Sequence, residues 1–266
     1  MPNPFFIPLL KRLATQLGSE VVVDEPSQGG YLLLPSGARS YFKRMSLSVN
    51  LVGASRVTGD KGLTLALLRK EGYRTPHGVQ SDRIKVLENF VKENQGSFIV
   101  KPNSGSQAKG LSRINSLSEL TTAFNKAKEF GSTVRVEEEI VGQHLSAGVA
   151  FGKVYFVYTK EPFSAGGMIV DIMDLVSEEV KNHLAQVTQL FNLNISSVDF
   201  IYCDYEEEVK SSKNCVIIEI NSAPSFRKYA EMGDAQLSRV ESLYRKVLES
   251  ILKQDSFTFS QIKKSA

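Results

Sequence analysis

The stretch Asn214-Cys-Val-Ile-Ile-Glu-Ile-Asn-Ser-Ala-Pro224 places five apolar or thiol side chains around one carboxylate, Glu219. An amide, Asn221, follows two residues later. Residues two apart on a strand share a face, so Glu219 and Asn221 project together from an apolar strand. An unpaired buried carboxylate is costly, so this placement calls for a cation. Upstream, Ile195-Ser-Ser-Val-Asp-Phe-Ile-Tyr202 is a second apolar strand with one carboxylate, Asp199. Asp, Glu and Asn oxygens on adjacent strands suit a hard cation such as Mg2+. The competing reading is two ordinary strands whose acids face solvent.

Two more clusters carry chemistry. Phe98-Ile-Val-Lys-Pro-Asn-Ser-Gly-Ser-Gln-Ala-Lys-Gly110 delivers Lys101 at the end of an apolar strand, and a loop of small residues follows. Such loops let backbone N–H groups approach phosphate oxygens, and a lysine adds a point charge. It is not a Walker loop, because the lysine precedes the glycines and no Gly-Lys-Ser/Thr follows. A plain hairpin loop accounts for it equally well. Val134-Arg-Val-Glu-Glu-Glu-Ile-Val-Gly142 is a β-run ending in acids. It can line an adenine pocket, with backbone groups on the purine edge and Ile140 on its face. Taken alone, a solvated strand end is the better reading.

The elements that position these clusters follow from periodicity and turn residues. Helices are predicted over residues 5–17, 60–71, 82–94, from Ser116 onward, 176–191 and 237–251. Asp60 caps the second and Gly72 ends it, while Ser116 and Glu119 form a capping box. Strands are predicted over 20–24, 31–34, 39–43, 97–101, 133–138, 146–151 and 153–159, besides the two acidic ones, with Gly152-Lys153 as a tight turn. Residues 254–266 read as a polar flexible tail. The irregular mixture of helices and hairpins gives an α+β fold.

At 266 residues the chain can bury a large core in one or two domains. It is 42% apolar and 23% charged, with a net charge of +3. Dispersed Lys and Arg give no case for nucleic acid, and no apolar run is long enough to cross a bilayer. The apolar N-terminus has no basic residue ahead of it, which argues against a signal peptide. Cys203 and Cys215 sit in apolar runs and read as reduced thiols of a cytoplasmic protein. His77, His144 and His183 lack metal spacing, which argues against zinc.

Taken in order, strand–Lys–Gly-rich loop, Val-Glu-x-x-Ile-x-Gly, Val-Asp-Phe and Ile-Glu-Ile-Asn-x-x-Pro resemble the ATP-grasp superfamily of carboxylate–amine ligases. Within it the chain is most similar to the ATP-grasp part of cyanophycin synthetase and of bifunctional glutathione synthetase. The similarity is carried by Val100-Lys-Pro102, Asp171-Ile-Met-Asp174, Ile218-Glu-Ile-Asn-Ser-Ala-Pro-Ser-Phe-Arg227 and the Asp60-Lys61 pair. It implies a short hairpin-rich region over 1–52, an ATP-grasp domain over 53–253 whose two subdomains grip ATP, and a tail over 254–266. It implies ATP and Mg2+, as two ions, and an ADP-forming ligase that makes an amide or peptide bond on an amino acid or peptide through an acyl phosphate. A non-catalytic or regulatory ATP-binding module and a phosphotransferase are the alternatives. Family members are often dimers or tetramers, so a homo-oligomer is compatible.

By position, the resemblance assigns Lys61 and Lys101 to the phosphates, and the loop with Gly105, Ser106 and Gln107 to closing over them. Glu137, Glu138 and Ile140 would hold adenine, with His144 standing where relatives carry an acid for the ribose. Lys160 would approach the γ-phosphate, and Arg227 would face the acceptor carboxylate or acyl phosphate. Asp199, Glu219 and Asn221 would hold Mg2+. The chain departs from the family at Ala108 (for a loop glycine), Met173 (for threonine) and Ser146 (for arginine). If position 108 needs a positive φ, alanine there costs about 1 kcal/mol.

Overall fold

Antiparallel pairing organises the chain into three four-stranded sheets. The computed structural model describes residues 5–105, 108–160, 168–203 and 208–265, with side chains as far as Asp255. The chain opens with helix α1 (Phe6–Gln16) and strands β1 (Glu20–Asp24), β2 (Gly29–Leu33), β3 (Arg39–Lys43) and β4 (Ser46–Leu47), which form the first sheet in chain order. Helices α2 (Val52–Gly59) and α3 (Lys61–Lys70) follow, then β5 (Gly78–Ser81), α4 (Ile84–Glu93), β6 (Phe98–Pro102), β7 (Ser112–Ile114), α5 (Leu120–Lys128) and β8 (Val134–Glu138). These strands make the second sheet, ordered β5-β8-β6-β7. The third sheet takes β9 (Gln143–Ala150), β10 (Lys153–Thr159), β11 (Ile195–Tyr202) and β12 (Cys215–Asn221) in the order β10-β9-β11-β12. Helix α6 (Glu178–Leu190) lies between β10 and β11 in sequence, and α7 (Arg227–Ala230) and α8 (Asp234–Ser265) close the chain.

The α+β expectation holds, and local chemistry explains most boundaries. The Asp60 carboxylate accepts from the Leu63 N–H at 2.9 Å and starts α3, while Gly72, with φ of 84°, ends it. Ser177 caps α6 in the same way, by accepting from Val180. Three details differ from expectation. The β9–β10 turn is Phe151-Gly152, both at positive φ, one residue earlier than predicted. Ser116 accepts no cap hydrogen bond; instead its hydroxyl donates to Glu119 at 2.8 Å, and a short 3-10 turn precedes α5. The last helix has helical backbone to Ser265, through residues read as a flexible tail. The short elements α2, β4, β5, β7 and α7 were not predicted, because too few residues repeat to show a period.

The third sheet has two different faces. On one, Leu145, Ala147, Val149, Val157, Val198, Phe200 and Ile217 pack with α6 residues such as Leu184 and with Leu65 and Leu68 of α3. The other face is divided. Near Ala150 and Ile195 it is apolar and shares one core with α1, the first sheet, α7 and α8. The opening segment therefore has no separate core of its own. Phe156 anchors this half. Its ring stacks on Tyr229 at 4.3 Å and meets Phe226 edge-on at 4.9 Å. Gly148, opposite Phe156 on β9, makes room for it, since a Cβ there would lie 2.2 Å from the ring.

A Phe156→Ala variant should lose about 3–5 kcal/mol of stability, because a cavity would open in a fully buried aromatic stack. Urea unfolding followed by far-UV circular dichroism checks this.

Candidate active site

Beyond Gly148 the same sheet face turns polar. The β9–β10 register sets Ser146 opposite Tyr158, and the β9–β11 register sets Asp199 opposite Ser146. The β11–β12 register sets Glu219 opposite Asp199. Directly opposed residues share a face with Cβ atoms about 5 Å apart, so Tyr158, Ser146, Asp199 and Glu219 form one row across four strands. Asn221, two residues from Glu219, lies on that face, as expected for a strand. A β-bulge at Ile218 restores the alternation, so that Ile217 still points into the opposite core.

Two adjacent carboxylates repel unless cations meet them, and lysines do so here. Asp199 is buried; Ser146 donates to its Oδ1 at 2.6 Å and Lys160 Nζ donates to its Oδ2 at 2.6 Å. Burial alone would lower the Lys160 pKa, but the adjoining Asp199 carboxylate outweighs it and raises that pKa, so the ammonium stays charged. Glu219 is half-buried, with Lys61 Nζ at 3.3 Å. The same ammonium donates to the Gly105 carbonyl at 2.7 Å, tying the loop after β6 to the first turn of α3. Asn103 reinforces this tie by accepting from the Gly62 N–H at 2.9 Å and donating to Asp60 at 2.8 Å. Lys61, Gly105, Glu219 and Asn221 line an open cleft of about 190 Å³.

The second sheet contributes Lys101. Its ammonium hydrogen-bonds the buried Glu137 Oε1, and Arg135 Nε holds Oε2 of the same carboxylate at 2.6 Å. Burial pushes the Glu137 pKa up, but the charges and hydrogen bonds of Lys101 and Arg135 more than offset it, leaving the carboxyl below its ordinary value. Both oxygens of the Glu137 carboxylate are thus taken, one by Lys101 and one by Arg135, so this acid positions Lys101.

Glu138 is exposed and accepts from the His77 N–H at 2.8 Å. The backbone N–H groups of Glu138 and Glu139 are used by the His77 and Ser97 carbonyls at 2.9 Å each. Ile140, half-buried, follows at the end of the strand. His144 is half-buried beside Lys160, Asp199 and Lys101. Burial first, then the Lys160 charge, holds its pKa below the ordinary value, so the imidazole is neutral at pH 7.

Arg227 is not brought to this cluster. It is exposed at the start of α7 and its Nε pairs with Glu231 at 2.6 Å, one turn on. Ser106 and Gln107 lie outside the described residues. Ala108 does stand at positive φ, 55°, a conformation that costs alanine more than glycine.

Sequence reasoning missed Ser146, Tyr158 and Arg135 as parts of the site, and placed Asn103 in the loop without its ties to Asp60 and Gly62. Arg135 and Glu137 carried a legible signal: opposite charges two apart on an apolar strand share a face. Ser146 and Tyr158 carried none, since their place depends on the pairing register.

No protein-family model matches the chain. A D-alanine–D-alanine ligase of Prochlorococcus marinus (strain MIT 9215) is 24% identical over 159 residues, covering 53% of this chain and 43% of that ligase. One from Bacillus anthracis (strain CDC 684 / NRRL 3495) is 29% identical over 102 residues, covering 38% of this chain and 33% of the ligase. The chain thus spans less than half the length of these curated relatives. Among solved structures, the ATP-grasp ligase PsnB, complexed with a phosphomimetic variant of minimal precursor, Mg and ADP, superposes with a TM-score of 0.60 at 15% identity, covering 92% of this chain and 96% of that one. A bifunctional glutathione synthetase from Pasteurella multocida gives a TM-score of 0.59 at 14% identity, covering 90% of this chain and 44% of that one. The fold is that of the ATP-grasp superfamily. Among the described residues no helix is long and apolar enough to cross a membrane.

A Glu137→Gln variant should lose about 3–5 kcal/mol, because two buried cations would lose their carboxylate. The sign with pH follows from the lowered folded-state pKa. The stability that Glu137 supplies is present above the ordinary carboxylate range and is lost as pH falls through the folded value. Urea midpoints measured from neutral to acid pH should show that the variant lacks this loss.

Proposed function

We propose that this ATP-grasp chain is an ATP-dependent carboxylate–amine ligase that joins an amino acid or peptide to an amine. The observation that carries the proposal is the register of Asp199 opposite Glu219, with Lys61 and Lys160 on those carboxylates. Lys101 and Arg135 meet Glu137 on the second sheet, so that four cations accompany three carboxylates over the two sheets. That balance suits a polyphosphate brought in with a divalent cation.

The donor set fits Mg2+, because two carboxylates and an amide set side by side on one sheet face are hard oxygen donors. Asp199, Glu219 and Asn221 would hold the metal, which when bound neutralises phosphate charge. Lys61, Lys101 and Lys160 would bind and orient the phosphate oxygens. Lys160, held protonated beside Asp199, supplies charge and not a base. Neutral His144 can donate to or accept from a ribose hydroxyl. No activated Ser or Cys nucleophile is required, since phosphoryl transfer depends on positioning and charge neutralisation.

The reaction is written on the substrates. A carboxylate oxygen attacks the γ-phosphorus of ATP, the bond to the β-phosphate oxygen breaks, and ADP leaves. The amine nitrogen then attacks the acyl carbon, inorganic phosphate leaves, and the nitrogen gives up a proton. Excluding water from the acyl phosphate protects it between the two steps.

With ATP, Mg2+ and a panel of amino acids and peptides, the protein should release ADP and phosphate in step with a condensed product seen by mass spectrometry. An Asp199→Ala, Glu219→Ala double variant should lose at least a hundredfold in turnover. Full activity in that variant would remove the metal assignment. Stoichiometric nucleotide binding without turnover across the panel would instead favour a regulatory ATP-binding module.

A further inference from the structure

The two carboxylates suited to a metal are each already held by an ammonium group. Lys160 Nζ lies 2.6 Å from Asp199, and Lys61 Nζ lies 3.3 Å from Glu219. Asp199 is buried and its other oxygen is held by Ser146 at 2.6 Å. Neither acid can accept a cation at full charge while its lysine stays, because the incoming ion would meet a like charge at contact distance. Lys61 has a further acceptor in the Gly105 carbonyl, so its ammonium does not depend on Glu219 alone for a partner.

We infer that Lys61 and Lys160 act as resident counter-ions of the cation site, so that a divalent metal binds this protein only together with a nucleotide polyphosphate. The inference rests on the ligase reading of the same site. Phosphate oxygens draw the two ammonium groups off Asp199 and Glu219, and the metal takes the place that they leave. Each partner makes the other's binding stronger, and by reciprocity the gain is the same in both directions. Before the exchange the pairs keep two facing acids from repelling one another across β11 and β12. After it, the phosphates compensate the lysines and the metal compensates the acids. No step leaves a buried charge unmatched.

Mn2+ serves as the probe, because its free and bound forms are separated by electron paramagnetic resonance. The intact protein should bind Mn2+ at least tenfold more tightly with saturating ADP than without it, after subtraction of Mn2+ held by ADP alone. A Lys160→Met variant should show the opposite bias. Without ADP its Mn2+ affinity should rise at least tenfold, because Asp199 has lost its counter-ion; with ADP the gap should narrow. Lys61→Met gives a second, independent variant should the first fail to fold, as judged by circular dichroism. Equal Mn2+ affinity with and without ADP in the unaltered protein would overturn the counter-ion inference while leaving the ligase reading intact. Absence of protein-bound Mn2+ in both states, with ADP also failing to bind, would overturn both. Unchanged ADP-free affinity in both folded lysine variants would overturn the inference alone.

Discussion

Asp199 is the residue on which the rest of the site depends. It sits in a strand with neighbours on both sides, and antiparallel pairing leaves it no freedom in whom it faces. Ser146 is opposite on β9 and Glu219 is opposite on β12. Burial makes the ionised form costly unless both oxygens are satisfied, and Ser146 and Lys160 satisfy them. A slip of one residue in either pairing would turn Asp199 into the apolar core beneath α6. The hydrophobic pattern of β11 therefore fixes the charge of the site as firmly as any ion pair does.

The boundary between site and core on that face is equally sharp. Two residues along β9 from Ser146, Gly148 removes its side chain so that Phe156 can lie flat against the sheet. Phe156, Tyr229 and Phe226 then pack beside the polar row on the same face, and the ring of Tyr158 stacks on Tyr229 at 5.4 Å. Tyr158 belongs to both halves: its ring lies against Tyr229, while its place in the row is opposite Ser146. The first sheet and α1 complete the same core from the far side. The opening segment thus completes the apolar half of the face that carries the charged row.

The sequence made legible whatever depends on local pattern. Glu219 and Asn221 share a face because they are two apart, and Asp60 starts a helix because its carboxylate reaches the Leu63 N–H. Lys101 ends a buried strand, as its apolar run indicates. Pairing partners were not legible. Nothing local to Ser146 says that it will lie beside Asp199. Glu137 shows the same limit from the other side. Its position does not reveal that Arg135 on the same strand and Lys101 on the neighbouring one hold both its oxygens. Arg227 is exposed at the start of a short helix, and motif position does not reveal that Glu231 one turn on is its partner.

Three lysines of one chemical type are thus placed in two different ways. Lys101 is held by Glu137, which Arg135 also grips and which lies too deep to serve a metal. That pair has no reason to part when a ligand arrives, so Lys101 is a fixed charge. Lys61 and Lys160 are held by acids on the open row, one half-buried and one capped by a serine hydroxyl. Their partners are the residues with the better claim to a divalent ion, so these two charges are exchangeable. The difference comes from the second acid-binding cation: Glu137 has one in Arg135. Among the described contacts Asp199 has only a hydroxyl as its second partner and Glu219 has no second ion pair, which leaves both acids short of positive charge once the lysines turn away.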